Sequence, residues 1–302
     1  LKLFWVLSLT CPAYFMFTAI HVRDIFVVFG IFLILFSITL LSIRPFSLLG
    51  LSTLSLSIFL SFTLFFWVRE GLDKFIVLPI IVLFTAPSII KLTRTIFVKS
   101  TIHFSSLVTM LLAMGGLVFF LILPDNPVTT YLIDRYDTYN YASMNEGSGL
   151  GNAFIVDAPL PVRALIGPIF LMLGPFPIYA GMDVQFTIYH LFKSLNAFYL
   201  YLTLPLLLLH MRQYIFSNQI YRFRDYVNSN YALVYILSAI IISLTSFESR
   251  HLYAVYPYYI LACSLISFDA STKRNYLRIF YFITASSLLL HLFYIYYKIT
   301  TL

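Results

Sequence analysis

Residues 187–210 read TIYHLFKSLNAFYLYLTLPLLLLH. The stretch is apolar over most of its length, and Lys193 is its only residue with a permanent charge. An α-helix over these residues rises about 36 Å, whereas the hydrocarbon core of a bilayer is about 30 Å thick. The length and composition together predict a membrane-spanning helix.

The rest of the chain has the same character. It has 302 residues, of which 61% are hydrophobic and 10% are charged, with a mean hydropathy of +0.91. Soluble domains have about 45–50% apolar and about 25% charged residues. In hydrocarbon only helices or closed barrels satisfy their backbone groups, and barrel strands alternate apolar and polar residues. The apolar runs here are continuous, so the sequence predicts an all-α, polytopic helical membrane protein.

The hydropathy pattern predicts about nine spans in one membrane domain that covers residues 1–302. We expect them at about 3–20, 25–43, 46–68, 75–90, 104–123, 187–210, 231–247, 253–268 and 279–297. Lys and Arg are more frequent in the loops on one side, around 91–99, 212–224 and 273–278, which predicts that this side is cytoplasmic. These flanks and anionic headgroups account for the net charge of +7 without any nucleic acid.

Residues 124–186 form the one long hydrophilic connection, and they are predicted to be an extracytoplasmic loop. Loops of this length usually have a function. The first half interleaves tyrosines with charged and amide side chains, including Arg135 and Asp137. Aromatic faces and planar polar groups suit sugars. The alternative is a belt of aromatic residues at the membrane interface.

The second half of this loop is apolar but interrupted. Residues 164–182 contain Gly167, Pro168, Gly174, Pro175 and Pro177. Such punctuation disfavours a straight span and predicts a re-entrant or interfacial helical hairpin, with a kinked span as the alternative. Arg163 lies at the entrance of this segment, and Asp157 precedes it.

Ionisable residues near predicted spans are candidates for function. His190, Lys193 and Asn196 are spaced i, i+3 and i+6, so they share one face of a helix that should point inward or towards water. Lys193 lies near the predicted outer end of its span. A lysine there can also simply extend its ammonium group to the membrane surface.

The densest local cluster is SFESRHLYAVYPYYILACS, residues 246–264. Arg250 can bind phosphate oxygens with two hydrogen bonds, and His251 can donate a hydrogen bond or move a proton. Glu248 can orient the arginine or act as a base. The alternative is a charged turn that ends a span. The sequence has no HExxH and no DxD motif, so we expect no metal, and nothing in it calls for a cofactor.

The order of these features resembles the bacterial O-antigen polymerases, which polymerise the oligosaccharide repeat units of surface polysaccharides. The resemblance covers about residues 104–268 and rests on the long outer loop, on Arg163 leading into GPIFLMLGPFPIY, and on ESRHLYAVYP. It implies glycosyl transfer between glycans carried on undecaprenyl pyrophosphate, at the periplasmic face of the inner membrane. It also admits a chain-length regulator protein as a partner.

The resemblance assigns roles to particular residues. Arginines on the outer face bind the pyrophosphate, whose charge must be neutralised as it leaves. An acceptor hydroxyl needs a base. The candidates for catalysis are Glu248, His251, Asp157 and Asp137, and those for substrate binding are Arg163, Arg250, Arg135, Tyr253, Lys193 and His190.

Three other functions fit a protein of this composition. The first is a different polyprenyl-dependent membrane glycosyltransferase, which usually has an acidic pair in its first outer loop. Here that loop, about His21–Asp24, has one carboxylate. The second is a transporter of lipid-linked oligosaccharides, which tends to show internal repeats that are not visible in this chain. The third is a non-catalytic membrane scaffold.

Overall fold

A computed structural model describes about half of the chain. The described residues are 2–14, 28–33, 35–36, 48, 52–53, 55–56, 59–60, 63, 130, 134, 160–173, 188–215, 223–245 and 252–301. All regular structure within these ranges is helical. The all-α part of the prediction is therefore confirmed for the described residues. The predicted spans at 75–90 and 104–123 lie outside them.

Six α-helices and one π-helical turn make up the described fold. They are α1 (Lys2–Leu9), α2 (Leu160–Leu173), α3 (Ile188–His210), the π-helical turn (Met211–Ile215), α4 (Phe223–Thr245), α5 (Tyr256–Ser264) and α6 (Ala270–Thr301). Two stretches are long and apolar enough to cross a membrane, namely Leu191–Gln213 and Ala270–Phe293. Among the described residues, these two stretches agree with the membrane class expected from the composition.

The helices do not begin and end where the apolar runs do. The predicted span 279–297 lies inside α6, which starts at Ala270 and includes the basic residues before the span. The predicted span 253–268 contains α5, which has nine residues. A helix of that length rises about 14 Å, too little to cross the hydrocarbon core alone. Hydropathy reports which residues avoid water, and it does not report where backbone hydrogen bonding begins or ends.

Asp269 fixes the start of α6. Its Oδ1 accepts a hydrogen bond of 2.6 Å from the backbone N–H of Thr272, so it caps the first turn of the helix. The hydrogen bonds from Thr272 hold the pKa of the Asp269 carboxyl below its ordinary value of 3.8. This cap explains why the helix begins before the apolar run does.

Helix α2 runs without interruption through Gly167 and Pro168. A proline inside a helix removes one backbone hydrogen bond and clashes with the preceding turn. The extensive packing of α2 against α4 offsets that cost. Gly167 and Pro168 therefore do not interrupt this helix. The rest of the predicted hairpin, residues 174–182, lies outside the described residues.

The core lies between α3, α4 and α5, with α1 and α2 packed around it. Helices α3 and α5 are parallel, because Asn196 contacts Tyr256 while Thr203, further along α3, contacts Tyr259. Helix α4 is antiparallel to α3, since its early residue Asn228 contacts His210 at the end of α3. We call this the His210 end of the bundle and the opposite one the Arg163 end.

In the second half of helix α6, large apolar side chains are exposed while two polar side chains are half-buried. The helix packs against α3, and Ser287 and His291 are half-buried. Phe282, Leu289 and Phe293 are each about 70% exposed among the described residues. A helix in water would show the reverse pattern. This distribution is the one expected of a helix that faces lipid.

Candidate functional site

Arg163 lies in the first turn of α2 and is buried, with 9% of its surface exposed. Its carbonyl oxygen is 3.5 Å from Oγ of Ser243, which is near the end of α4. The same Oγ donates a shorter hydrogen bond of 2.7 Å to the carbonyl of Ile240. The arginine is therefore held against the C-terminal end of α4, although 80 residues separate it from Ser243.

Lys193 and His190 precede Asn196 on α3 by one and two turns, which is about 4.5 and 9 Å along the axis. Asn196 is buried, and Lys193 is half-buried. This face of α3 is therefore directed towards the bundle at the two positions where side chains are described. For His190 the structure describes the backbone, which is helical.

Tyr253 belongs to a cluster of buried tyrosines rather than to the surface. It is 1% exposed, and its ring centroid lies 5.2 Å from that of Tyr256 in an edge-to-face arrangement. Tyr235 of α4 joins the cluster, with its ring centroid 4.8 Å from that of Tyr259. Edge-to-face and tilted pairs at these distances are favourable. Tyr253 is therefore a core residue that packs against Tyr256 near the Arg163 end.

Hydrogen bonds link α3 to α5 along this cluster. Asn196 Nδ2 donates to the Tyr256 hydroxyl at 2.7 Å. The hydroxyls of Thr203 and Tyr259 lie 2.6 Å apart. Cys263 approaches the Thr203 carbonyl with its Sγ at 3.8 Å. These bonds satisfy polar groups that would otherwise be costly to bury.

These hydrogen bonds between α3 and α5 have a signature in the sequence. Asn196, Thr203 and His210 recur every seven residues, which places them on one face of α3. A polar stripe on the inward face of an apolar helix indicates partners on the neighbouring helix. The partners of Asn196 and Thr203 are tyrosines, whereas the ring of His210 lies 3.0 Å from the carbonyl oxygen of Asn228.

The described candidates lie at one end of the bundle. Ser243, the neighbour of Arg163, is eight residues beyond Tyr235 on α4, or about 12 Å further along the helix. Lys193 and His190 extend past Asn196 in the same direction, because α3 and α4 are antiparallel. Arg163, Lys193 and His190 therefore belong to the Arg163 end, which the sequence had predicted to be extracytoplasmic.

The other six candidates lie outside the described residues. They are Asp137, Asp157, Arg135, Glu248, Arg250 and His251. The segment 246–251 joins the end of α4 at Thr245 to Leu252, where the structure resumes.

In the described part of the chain no group of three or more His, Cys, Asp or Glu side chains is arranged to hold a metal ion. The charged groups at the Arg163 end are instead cationic, a guanidinium and an ammonium. Such groups stabilise phosphate oxygens. The neighbouring tyrosines and the Asn196 amide are buried within the bundle, where they pack and hydrogen-bond with one another. The described cations at this end are therefore suited to binding an anionic molecule.

Comparisons of the chain with protein-family models, with curated proteins and with solved structures find no match.

Proposed function

We propose that this chain polymerises oligosaccharide repeat units carried on undecaprenyl pyrophosphate, by glycosyl transfer at the periplasmic face of the bacterial inner membrane. The proposal is based on the position of Arg163. A cation is buried in the first turn of α2, against the end of α4 from which the ESRH segment follows. A guanidinium binds pyrophosphate oxygens with paired hydrogen bonds, which is the role proposed for Arg163.

In the proposed reaction, the hydroxyl oxygen of an acceptor sugar attacks the anomeric carbon of the donor glycan. The bond between that carbon and the pyrophosphate oxygen breaks, and undecaprenyl pyrophosphate leaves with the bonding electrons. Arg163, Arg250 and Arg135 neutralise the charge that develops on the leaving group. The acceptor proton passes to a base, for which Glu248, His251, Asp157 and Asp137 are the candidates.

Lys193 and His190 are assigned to substrate binding, and Tyr253, which the sequence also proposed for this role, is assigned to positioning because it is 1% exposed. Lys193 is half-buried on the face of α3 that leads to Asn196, and we assign its ammonium to a phosphate or a sugar hydroxyl. Tyr253 is buried beneath this region and acts by holding Tyr256 in place. No cofactor or metal takes part in the proposal. A chain-length regulator protein is a proposed partner.

The proposed topology has nine spans, with the loop 124–186 on the periplasmic side. Residues 164–182 form a re-entrant or interfacial hairpin whose first helix is α2. Its packing along α4 supports this proposal, because α2 then enters the membrane beside the donor pyrophosphate. The polyprenyl chain lies along this apolar surface.

The experiment that tests the function is the deletion and restoration of the gene in its source strain, followed by a gel of the surface polysaccharide. We expect the long ladder to collapse to single repeat units and to return on restoration. An unchanged ladder would refute the proposal. Loss of all units, single ones included, would instead indicate an earlier glycosyl transfer or the transport of the lipid-linked oligosaccharide.

The first residue to change is Arg163. We expect Arg163→Ala to reduce the rate of polymer formation by about 10²- to 10³-fold, because one stabilising group for the leaving pyrophosphate is lost. The measurement is ladder formation in membranes that contain equal amounts of each variant. Ser243→Ala is the matched control, since it removes the contact with the Arg163 carbonyl and keeps the guanidinium. An unchanged ladder in Arg163→Ala would contradict the assigned role.

A further inference from the structure

Two hydrogen-bonded pairs of side chains join α3 to α5, and they differ in how completely their groups are satisfied. Thr203 donates to the carbonyl oxygen of Tyr199 at 2.7 Å, so the 2.6 Å bond between Thr203 and Tyr259 is donated by the Tyr259 hydroxyl. Each hydroxyl hydrogen of this pair therefore has an acceptor. The pair of Asn196 and Tyr256, which lies two turns earlier on α3, is not closed in this way.

The Asn196–Tyr256 pair leaves hydrogen-bonding groups unused. Asn196 Nδ2 donates to the Tyr256 hydroxyl at 2.7 Å, while Asn196 Oδ1 is buried without a hydrogen bond. Turning the amide over exchanges its two halves, but one hydroxyl still pairs with only one of them. Because the Tyr256 oxygen accepts this bond, its own hydrogen needs a further acceptor. The hydroxyl of Tyr235 on α4 interacts with that of Tyr256, yet it makes no direct hydrogen bond.

These unused groups lie within reach of one small molecule. Asn196 is buried, and Tyr235 and Tyr256 are fully buried. The two polar atoms of one amide are about 2.3 Å apart, so Asn196 Oδ1 lies within about 5 Å of the Tyr256 hydroxyl oxygen. A water molecule about 2.8 Å from each of two oxygens bridges a gap of up to about 5.6 Å. Buried polar groups without a protein partner are commonly satisfied by ordered water, also between membrane helices.

We propose that Asn196, Tyr235 and Tyr256 bind a water molecule between α3, α4 and α5. The three groups are neutral, and together they offer two hydroxyl donors and one amide acceptor. A single water molecule complements this set, since it accepts from the two tyrosines and donates to Oδ1. Asn196 is five residues, or about 7.5 Å, into the stretch Leu191–Gln213, so the shorter route for water is from the Arg163 end. The site is independent of the proposed glycosyl transfer.

The test exposes the purified full-length protein, in micelles and isotopically labelled water, to an X-ray pulse and maps the labelled rings by mass spectrometry. Hydroxyl radicals that form from a water molecule in a protein interior add to the rings beside it, whereas a buried ring without adjacent water stays unlabelled. We expect Tyr235 and Tyr256 to take up label and Tyr259, which is equally buried, to take up much less. Equal labelling of the three rings, or no labelling of any, would overturn the proposal.

The variant that removes the acceptor is Asn196→Leu, because leucine is similar in size and forms no hydrogen bond. It should lower the labelling of Tyr235 and Tyr256 several-fold. Thr203→Val is the matched control, since it breaks the closed pair instead and should leave the labelling of both tyrosines unchanged. Labelling that persists in Asn196→Leu would contradict the proposed site. The labelling of the unaltered protein decides the question if a variant does not fold.

A second measurement distinguishes a water-bonded hydroxyl from an unpaired one by the sign of its effect. Tyr235→Phe removes only the hydroxyl, and the loss of its bond to water should lower the midpoint temperature of unfolding by about 1–6 °C. Removing an unpaired buried hydroxyl would instead raise the midpoint, because its desolvation cost disappears. Tyr259→Phe is the reference, since it loses the 2.6 Å bond to Thr203. A raised midpoint in Tyr235→Phe would refute the proposal.

Discussion

Helices α5 and α6 are neighbours in the chain and are similar in residue type, yet they occupy opposite environments. All but two of the nine residues of α5 are buried within the described fold. The leucines and phenylalanines of α6 are mostly exposed. Tyrosine hydroxyls of α5 are hydrogen-bonded to α3, whereas α6 turns its apolar side chains outward. Similar composition therefore does not mean the same role, because one helix forms the core and the other presents a surface to lipid.

The largest expected effect compares one tyrosine from each helix. Tyr256→Ala removes a fully buried ring and should lower the free energy of unfolding by about 3–5 kcal/mol. Tyr281→Ala removes a ring that is 65% exposed, and it should change the free energy of unfolding by less than about 0.5 kcal/mol. The measurement is reversible unfolding of both variants in the same micelles. Similar losses for the two would show that α6 is also packed in a core.

The next effect tests whether α6 crosses the membrane. Leu289→Lys places a charge near the middle of the predicted span 279–297, and it should disfavour membrane insertion by about 2.5–3.5 kcal/mol. Leu277→Lys lies beside the basic residues at the start of α6, where the ammonium reaches water, so its effect should be close to zero. The measurement is the inserted fraction of each variant in a glycosylation-mapping assay. Equal insertion would contradict a lipid-facing α6.

A smaller effect isolates the bond between Asn196 and Tyr256. We expect a double-mutant cycle of Asn196→Ala and Tyr256→Phe to give a coupling energy of about 1 kcal/mol, since hydrogen bonds between membrane helices average near 0.6 and reach about 1.7. The readout is the free energy of unfolding of the four proteins. A coupling energy of zero would mean that the 2.7 Å contact does not stabilise the core.

The smallest effect concerns the start of α6. Asp269→Asn keeps the shape of the cap but removes its charge. Since the folded state lowers the pKa of this carboxyl below 3.8, its contribution is present above that value and is lost as the pH falls through the folded-state pKa. The unaltered protein should therefore lose a little stability below about pH 4, and Asp269→Asn should not show this component. Thermal unfolding at pH 3 and pH 7 measures it.

The sequence predicted the helical class and the position of α3, because a long apolar run with one charge has few other structures available. It placed the ends of α4 and α6 less well. Their first turns contain polar residues, as in FRDYVNSN and ASTKRNYLR. These turns are helical because of backbone hydrogen bonds and capping, although they precede the apolar run. The length of helix α5 was overestimated because a buried core helix and a short span have the same hydropathy.

Of the candidate site, the sequence predicted the charged residues but not their hydrogen-bonded neighbours. Charged residues in apolar surroundings, such as Arg163 and Lys193, stand out in a sequence. Their hydrogen-bonded neighbours, such as Ser243 and Thr203, do not, since a single hydroxyl in a span carries no distinctive pattern. Contact between α2 and α4 joins residues 80 positions apart, and pairings at that distance follow from packing rather than from local spacing.

The parallel arrangement of α3 and α5 has an electrostatic consequence. The N-terminus of each helix carries about half a positive elementary charge, and helices that run side by side in the same direction add these partial charges. The first turn of α2, which holds Arg163, is also at the end where α3 and α5 begin. Three helix N-termini therefore lie towards that end beside the C-terminus of α4, and their partial positive charges outweigh its partial negative charge. Approach of a doubly charged lipid headgroup should be fastest at low ionic strength and slow as salt screens this field.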